Sequence, residues 1–143
     1  MTDAEWDELL KELDAHRQHI EAWEPDAPKP DAARCVQSRH RTLAHLRACQ
    51  ETWLAACLAF AERPGASLKL LHPWRLFDQQ SYALGSWDEH RRAFLTDRQR
   101  LLELLRTCDR TIGGKVNGNS YTIESLIAGR VAAHERHHLF DPR

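Results

Sequence analysis

Residues 122–140 read TIESLIAGRVAAHERHHLF, and this stretch decides the reading of the chain. At about 100° per residue, Ile123, Leu126, Ile127, Arg130, Val131, His134, His137 and His138 fall on one face of a helix. Thr122 serves as its cap and Glu124 lies in its first turn. Two histidines, His134 and His138, thus continue an apolar stripe. Residues i and i+4 are neighbours on a helix, so the two imidazoles can aim at one point between helices, as ligands of a transition metal do. The competing reading is a hydrated helix end, where cations are stabilised.

Working outward, three more amphipathic segments share this period, and no alternating stretch is long enough for a convincing strand. The expected fold is therefore all-α, a four-helix bundle in one domain spanning 1–143. Helix one follows the capping box Thr2-Asp3-Ala4-Glu5 and carries Trp6, Leu9, Leu10, Leu13 and Ile20. It stops before Pro25, and Glu24–Pro30, with three prolines, reads as a stiff linker. Helix two is expected from about Asp31 to Glu62, with Cys35, Thr42, Leu46, Cys49, Trp53, Cys57 and Phe60 along one stripe. From Ala66 to Gly85 the pattern is irregular but apolar, which suits a packed crossover before helix three. That helix opens at Ser86-Trp87-Asp88-Glu89 and repeats Trp87, Phe94, Leu101 and Cys108 at heptad spacing, ending near Asp109. A glycine- and asparagine-rich turn at 112–119 leads to helix four.

Composition narrows the function. The 143 residues include 20 Lys+Arg and 21 Asp+Glu, a formal charge of -1, so no basic excess attracts nucleic acid. No apolar run approaches the roughly 20 residues that cross a bilayer. The acidic N-terminus lacks the features of a secretion signal, and the expected location is the cytoplasm. Cys35, Cys49, Cys57 and Cys108 form no C-x-x-C pair and read as small buried apolar residues kept reduced.

A metal site needs a third ligand, and His45, in Thr42-Leu43-Ala44-His45-Leu46, is the candidate although it lies to one side of the helix-two stripe. Arg130, one turn before His134, could bind an anionic group beside the metal, as part of a cofactor site, or form an interhelical ion pair. His90 could approach as an outer partner or be a packed side chain. His16, His19, His40 and His72 read as surface residues, and the five tryptophans as core or interface anchors. His134-Glu135-Arg136-His137-His138 also spells H-E-x-x-H, the zinc-protease signature. The further ligand of such proteases lies downstream, where only five residues remain, and Glu135 is expected at the edge of the inward face. Proteolysis, and hydrolysis with Glu135 as base, therefore rank last.

Taken in order, Leu43-Ala44-His45-Leu46, the helix-opening Trp87, and Tyr121-Thr122-Ile123 leading to His134-Glu135-Arg136-His137-His138-Leu139 resemble the DinB/YfiT-like family across nearly the whole chain. The resemblance implies a four-helix bundle with a long crossover between helices two and three, often dimeric. It also implies a divalent metal, zinc or nickel first, held by His45, His134 and His138. It further implies a transferase that uses a low-molecular-weight thiol, such as bacillithiol, against an electrophile. The alternative is a stress-associated metal-binding or interaction protein without turnover.

Overall fold

The computed structural model describes residues 1–25 and 38–141, and the chain in it is predominantly helical. Helix α1 spans Asp3–Glu21. The Thr2 hydroxyl accepts from the Glu5 amide at 3.1 Å while the Glu5 carboxylate accepts from the Thr2 amide at 3.0 Å, so two of the orphan donors at this helix start are satisfied. Helix α2 spans Arg39–Glu62 behind a Ser38 cap. Cys35, the expected first turn of this helix and the linker beyond Pro25 lie outside the described residues. Helix α3 is the short Pro73–Gln79, and α4 runs Trp87–Thr107 from a Ser86 cap. The last helical rod has three parts: α5 at Ile123–Leu126, a π-helical turn at Ile127–Ala132, and α6 at Ala133–Phe140.

The expected helical character holds for most of the described residues, and a small three-stranded sheet that was not expected sits at one end. Its strands are β1 at Ser67–Leu68, β2 at Gly113–Val116 and β3 at Asn119–Thr122, with β1 parallel to β2 and β2 antiparallel to β3. The hairpin turns on Asn117 and Gly118, with φ of 50° and 84°, the two positive values that a two-residue hairpin loop requires. Gly113 is required by close approach, since a Cβ there would stand 1.8 Å from the Tyr121 carbonyl oxygen. Strands of two to four residues, half of β2 being glycine, leave no alternation to read.

The irregular segment between α2 and α4 is packed, as its apolar content suggests. Phe77 and Tyr82 bury against Ala44 and Ala48 of α2. This covers a second face of α2, which is why α2 buries residues nearly all round and why His45, off the main stripe, is only 5% exposed.

The interior has two apolar clusters. One gathers Leu13 of α1, Leu54 and Phe60 of α2, Leu101 and Leu105 of α4, and Ile127 and Val131 of the last rod. The other gathers Ile20, Leu43, Leu46, Phe94 and Leu139. Between them in sequence, each of the four long helical elements carries a buried polar residue, His16, Gln50, Arg98 or Glu135, with Thr52 a second one on α2.

The candidate metal centre

His45 Nε2 lies 3.3 Å from His134 Nε2, and His138 Nε2 lies 3.1 Å from His134 Nε2. The three nitrogens are all within 4.8 Å of one another. A tetrahedral metal about 2.0–2.1 Å from each nitrogen would set them about 3.3–3.4 Å apart, close to the two distances from His134. The structure thus brings together all three residues expected as ligands.

Local structure explains how α6 presents its pair. A π turn closes i→i+5 instead of i→i+4, so it delays the helical phase by about one residue. After it, Glu135 and Leu139 take the fully buried positions that follow Ile127 and Val131, while His134 and His138 flank that face, half-buried. The α-helical wheel drawn from sequence misses this shift. It sets Arg130 and His137 inside, whereas both are exposed, and Glu135 at an edge, whereas Glu135 is buried.

Electrostatics keep the rings neutral. Burial, then the proximity of His134 and His138, hold the His45 pKa down to about 3. Burial and the nearby His138 lower His134 to about 4, and His138 is lowered by burial and by His137. At neutral pH the cluster therefore offers imidazole lone pairs, the form that ligates metals.

The His45 ring is held in place by its neighbours. The Trp74 ring stacks on it at 4.2 Å between centroids and 15° between planes, and Cys49 Sγ lies 3.5 and 3.8 Å from its two nitrogens. Burial pushes the Cys49 thiol up to about 12, so it stays protonated. A cavity of about 170 Å³ opens beside the cluster, bordered by His45, Cys49, Trp74, Arg130 and His134. Arg130 stands at its rim with its guanidinium 6.0 Å from the Trp53 and Tyr121 ring centroids. Among the described residues no carboxylate pairs with it, so the interhelical ion pair does not form. Trp74 and Cys49 carry no spacing signal that sequence could link to His134; only the crossover and the burial of α2 bring them there.

The other histidines sort differently. His90 is buried with Arg47 Nη1 donating to its Nδ1 at 3.1 Å, against His40, away from the cluster. His40 is buried too, with its Nε2 3.0 Å from the Gly85 carbonyl, and His16 is 2% exposed, so neither is a surface residue as expected. His19 is half-buried against Phe140 and Trp23, correcting that expectation as well. His72 is exposed, caps α3 and borders the cavity.

Glu135 does not point into the cavity in the manner of a protease base. His16 Nδ1 donates to its Oε1 at 3.0 Å, and the Arg98 guanidinium is ion-paired to its Oε2. Burial would raise its carboxyl, but the charge of Arg98 and the hydrogen bonds from His16 and Arg98 outweigh that and hold it below the ordinary range. No family model, curated protein or solved structure matches the chain.

Proposed function

We propose that the chain is a DinB/YfiT-like metal-binding protein, built on a four-helix bundle with its long crossover between α2 and α4. In this reading His45, His134 and His138 hold a divalent transition metal, zinc or nickel. The observation that carries the proposal is the convergence of three neutral Nε2 atoms from two helices 89 residues apart, on the edge of a cavity. Three protein ligands leave a position open for an outside group. When bound, the metal supplies positive charge that lowers the pKa of a coordinated water or thiol.

The reaction that fits is transfer of a low-molecular-weight thiol's sulfur to an electrophile. A sulfur–carbon bond forms, the leaving group departs with its electron pair, and the thiol proton goes to solvent. The residues of this chain bind and orient. Arg130 takes an anionic group of the thiol at the rim, and Trp74 with Cys49 fixes the plane of the His45 ring. The cavity is smaller than the roughly 300–1,000 Å³ that engulf a drug-sized ligand, so it admits one end of the thiol.

That same small volume favours a second reading, a metal-binding or interaction protein without turnover. Location in the cytoplasm and a homodimer belong to the same proposal. No described helix is long and apolar enough to cross a membrane.

The test is elemental analysis of the purified protein followed by mass-spectrometric screening of thiols with electrophiles. One equivalent of metal in the native protein, none in His134→Ala, and thiol conjugation only with metal are expected. Full metal without turnover across the thiol panel selects the non-catalytic reading; absence of bound metal on titration sinks both.

A further inference from the structure

His16, Gln50, Arg98 and Glu135 occupy the same level of their four helical elements. Each lies between apolar residues of the two clusters: Leu13 and Ile20, Leu46 and Leu54, Phe94 and Leu101, Val131 and Leu139. Arg98 is fully buried and is the hub. Its Nε donates to Gln50 Oε1 at 2.6 Å, its Nη1 to the Leu13 carbonyl at 3.0 Å, and its Nη2 is paired with Glu135. Gln50 in turn donates to the Phe94 carbonyl at 2.8 Å. A guanidinium is a planar fork with donors in fixed directions, so it can hold several acceptors at one geometry.

Two of those acceptors lie on the helices that carry the ligand set. Gln50 follows His45 by five residues on α2, and Glu135 stands between His134 and His138 on α6. Sliding α6 along α2 by one residue would move His134 about 1.5 Å along the axis, enough to spoil a triangle with edges of 3.1 and 3.3 Å. Apolar packing alone tolerates such adjustment, because it is non-directional. The bracket does not.

We infer that the Gln50–Arg98–Glu135 bracket is the positioning device of the metal centre: it fixes the reach and register between α2 and α6, so that His45 meets His134 and His138. The inference rests on the metal-binding reading of that cluster. Arg98 and Glu135 touch neither metal nor substrate; they act through the backbone that bears the ligands.

Stability and positioning can be separated, because replacing a buried ion pair by apolar residues of similar volume is often neutral or stabilising. The double variant Arg98→Met with Glu135→Leu removes the bracket while keeping the volume. Co²⁺ titration, read through the visible band of a tetrahedral site, gives affinity, and thermal unfolding of the metal-free protein gives stability. The expected result is a cooperatively unfolding variant, less stable to the extent that Gln50, His16 and the Leu13 carbonyl lose their partners, with Co²⁺ affinity lower by roughly 10–100-fold, the range for outer partners of metal ligands, and a weaker tetrahedral band. Arg98→Lys keeps the charge beside Glu135 but cannot also reach Gln50 and Leu13. It is expected to lose affinity similarly, and it decides the matter should the double variant not fold. Unchanged Co²⁺ affinity in a folded variant overturns the positioning role and leaves the layer as core architecture. If the wild type takes up no Co²⁺, the failure lies with the metal-binding reading, and the bracket has nothing to position.

Discussion

Two polar clusters lie inside this helical protein, one residue apart on α6, and they are built on opposite principles. Around Arg98 and Glu135 each guanidinium nitrogen finds an acceptor: carboxylate, amide oxygen and backbone carbonyl surround one guanidinium. Around His134 three imidazole nitrogens face one another, with like groups where complementary ones would be expected. A satisfied buried network rigidifies a core. The partly buried imidazole nitrogens that converge at His134 are instead the donor set that the proposed metal would use. Burial and polarity are common to both clusters; what differs is the chemistry of the groups that meet, a guanidinium with its acceptors in one and three imidazoles in the other.

The largest expected effect comes from breaking the satisfied cluster on one side. Glu135→Ala strands the fully buried Arg98 guanidinium, and removal of one partner of a buried pair costs about 3–5 kcal/mol. Urea unfolding of the metal-free protein should show this loss, whereas His134→Ala, which removes a half-buried neutral ring, should lower stability by less than half as much. Equal losses would erase the distinction between the two clusters.

Acid should separate them next. The folded-state values of His45 and His134, about 3 and about 4, lie below the ordinary 6.5, so the unfolded chain binds more protons between those limits. Stability of the metal-free protein must then rise with pH in that window and be lost as pH falls from about 6.5 toward 4. Replacing His45 and His134 with glutamine should flatten this slope in unfolding curves taken at successive pH values. A slope that survives the replacement assigns it to other groups.

The smallest effect concerns the wall of the site. Trp74→Ala removes the ring stacked on His45, a contact of about 0.5–1.5 kcal/mol, and should loosen Co²⁺ binding by up to about tenfold. Tryptophan fluorescence of the wild type should change on metal addition, and the variant should lose most of that change. Identical responses would show that Trp74 does not hold the ring that binds.

Much of this architecture was legible from residues alone. The capping boxes at Thr2 and Ser86, the Thr122 cap, and the three- and four-residue apolar steps placed α1, α4 and the last rod close to their observed limits. The sheet was not legible, since its order comes from hydrogen bonds between segments about 50 residues apart, such as Ser67 with Lys115. Nor was the role of the buried polar layer. Its trace is present, a polar residue interrupting the apolar stripe of each helix, but His16 and Glu135 are 119 positions apart and nothing local pairs them.

By itself, then, the sequence determined where α1, α4 and the last rod form and stop, and it set His134 and His138 one turn apart, because capping and periodicity are local interactions within a few residues. Tertiary structure alone decided which faces turn inward. It inserted the π turn that rotates Glu135 into the core, laid the crossover over the His45 face of α2, and brought α2 and α6 to the register at which three imidazoles meet. Those outcomes depend on packing and hydrogen bonds between distant segments, whose strength comes from burial that exists only once the helices have assembled.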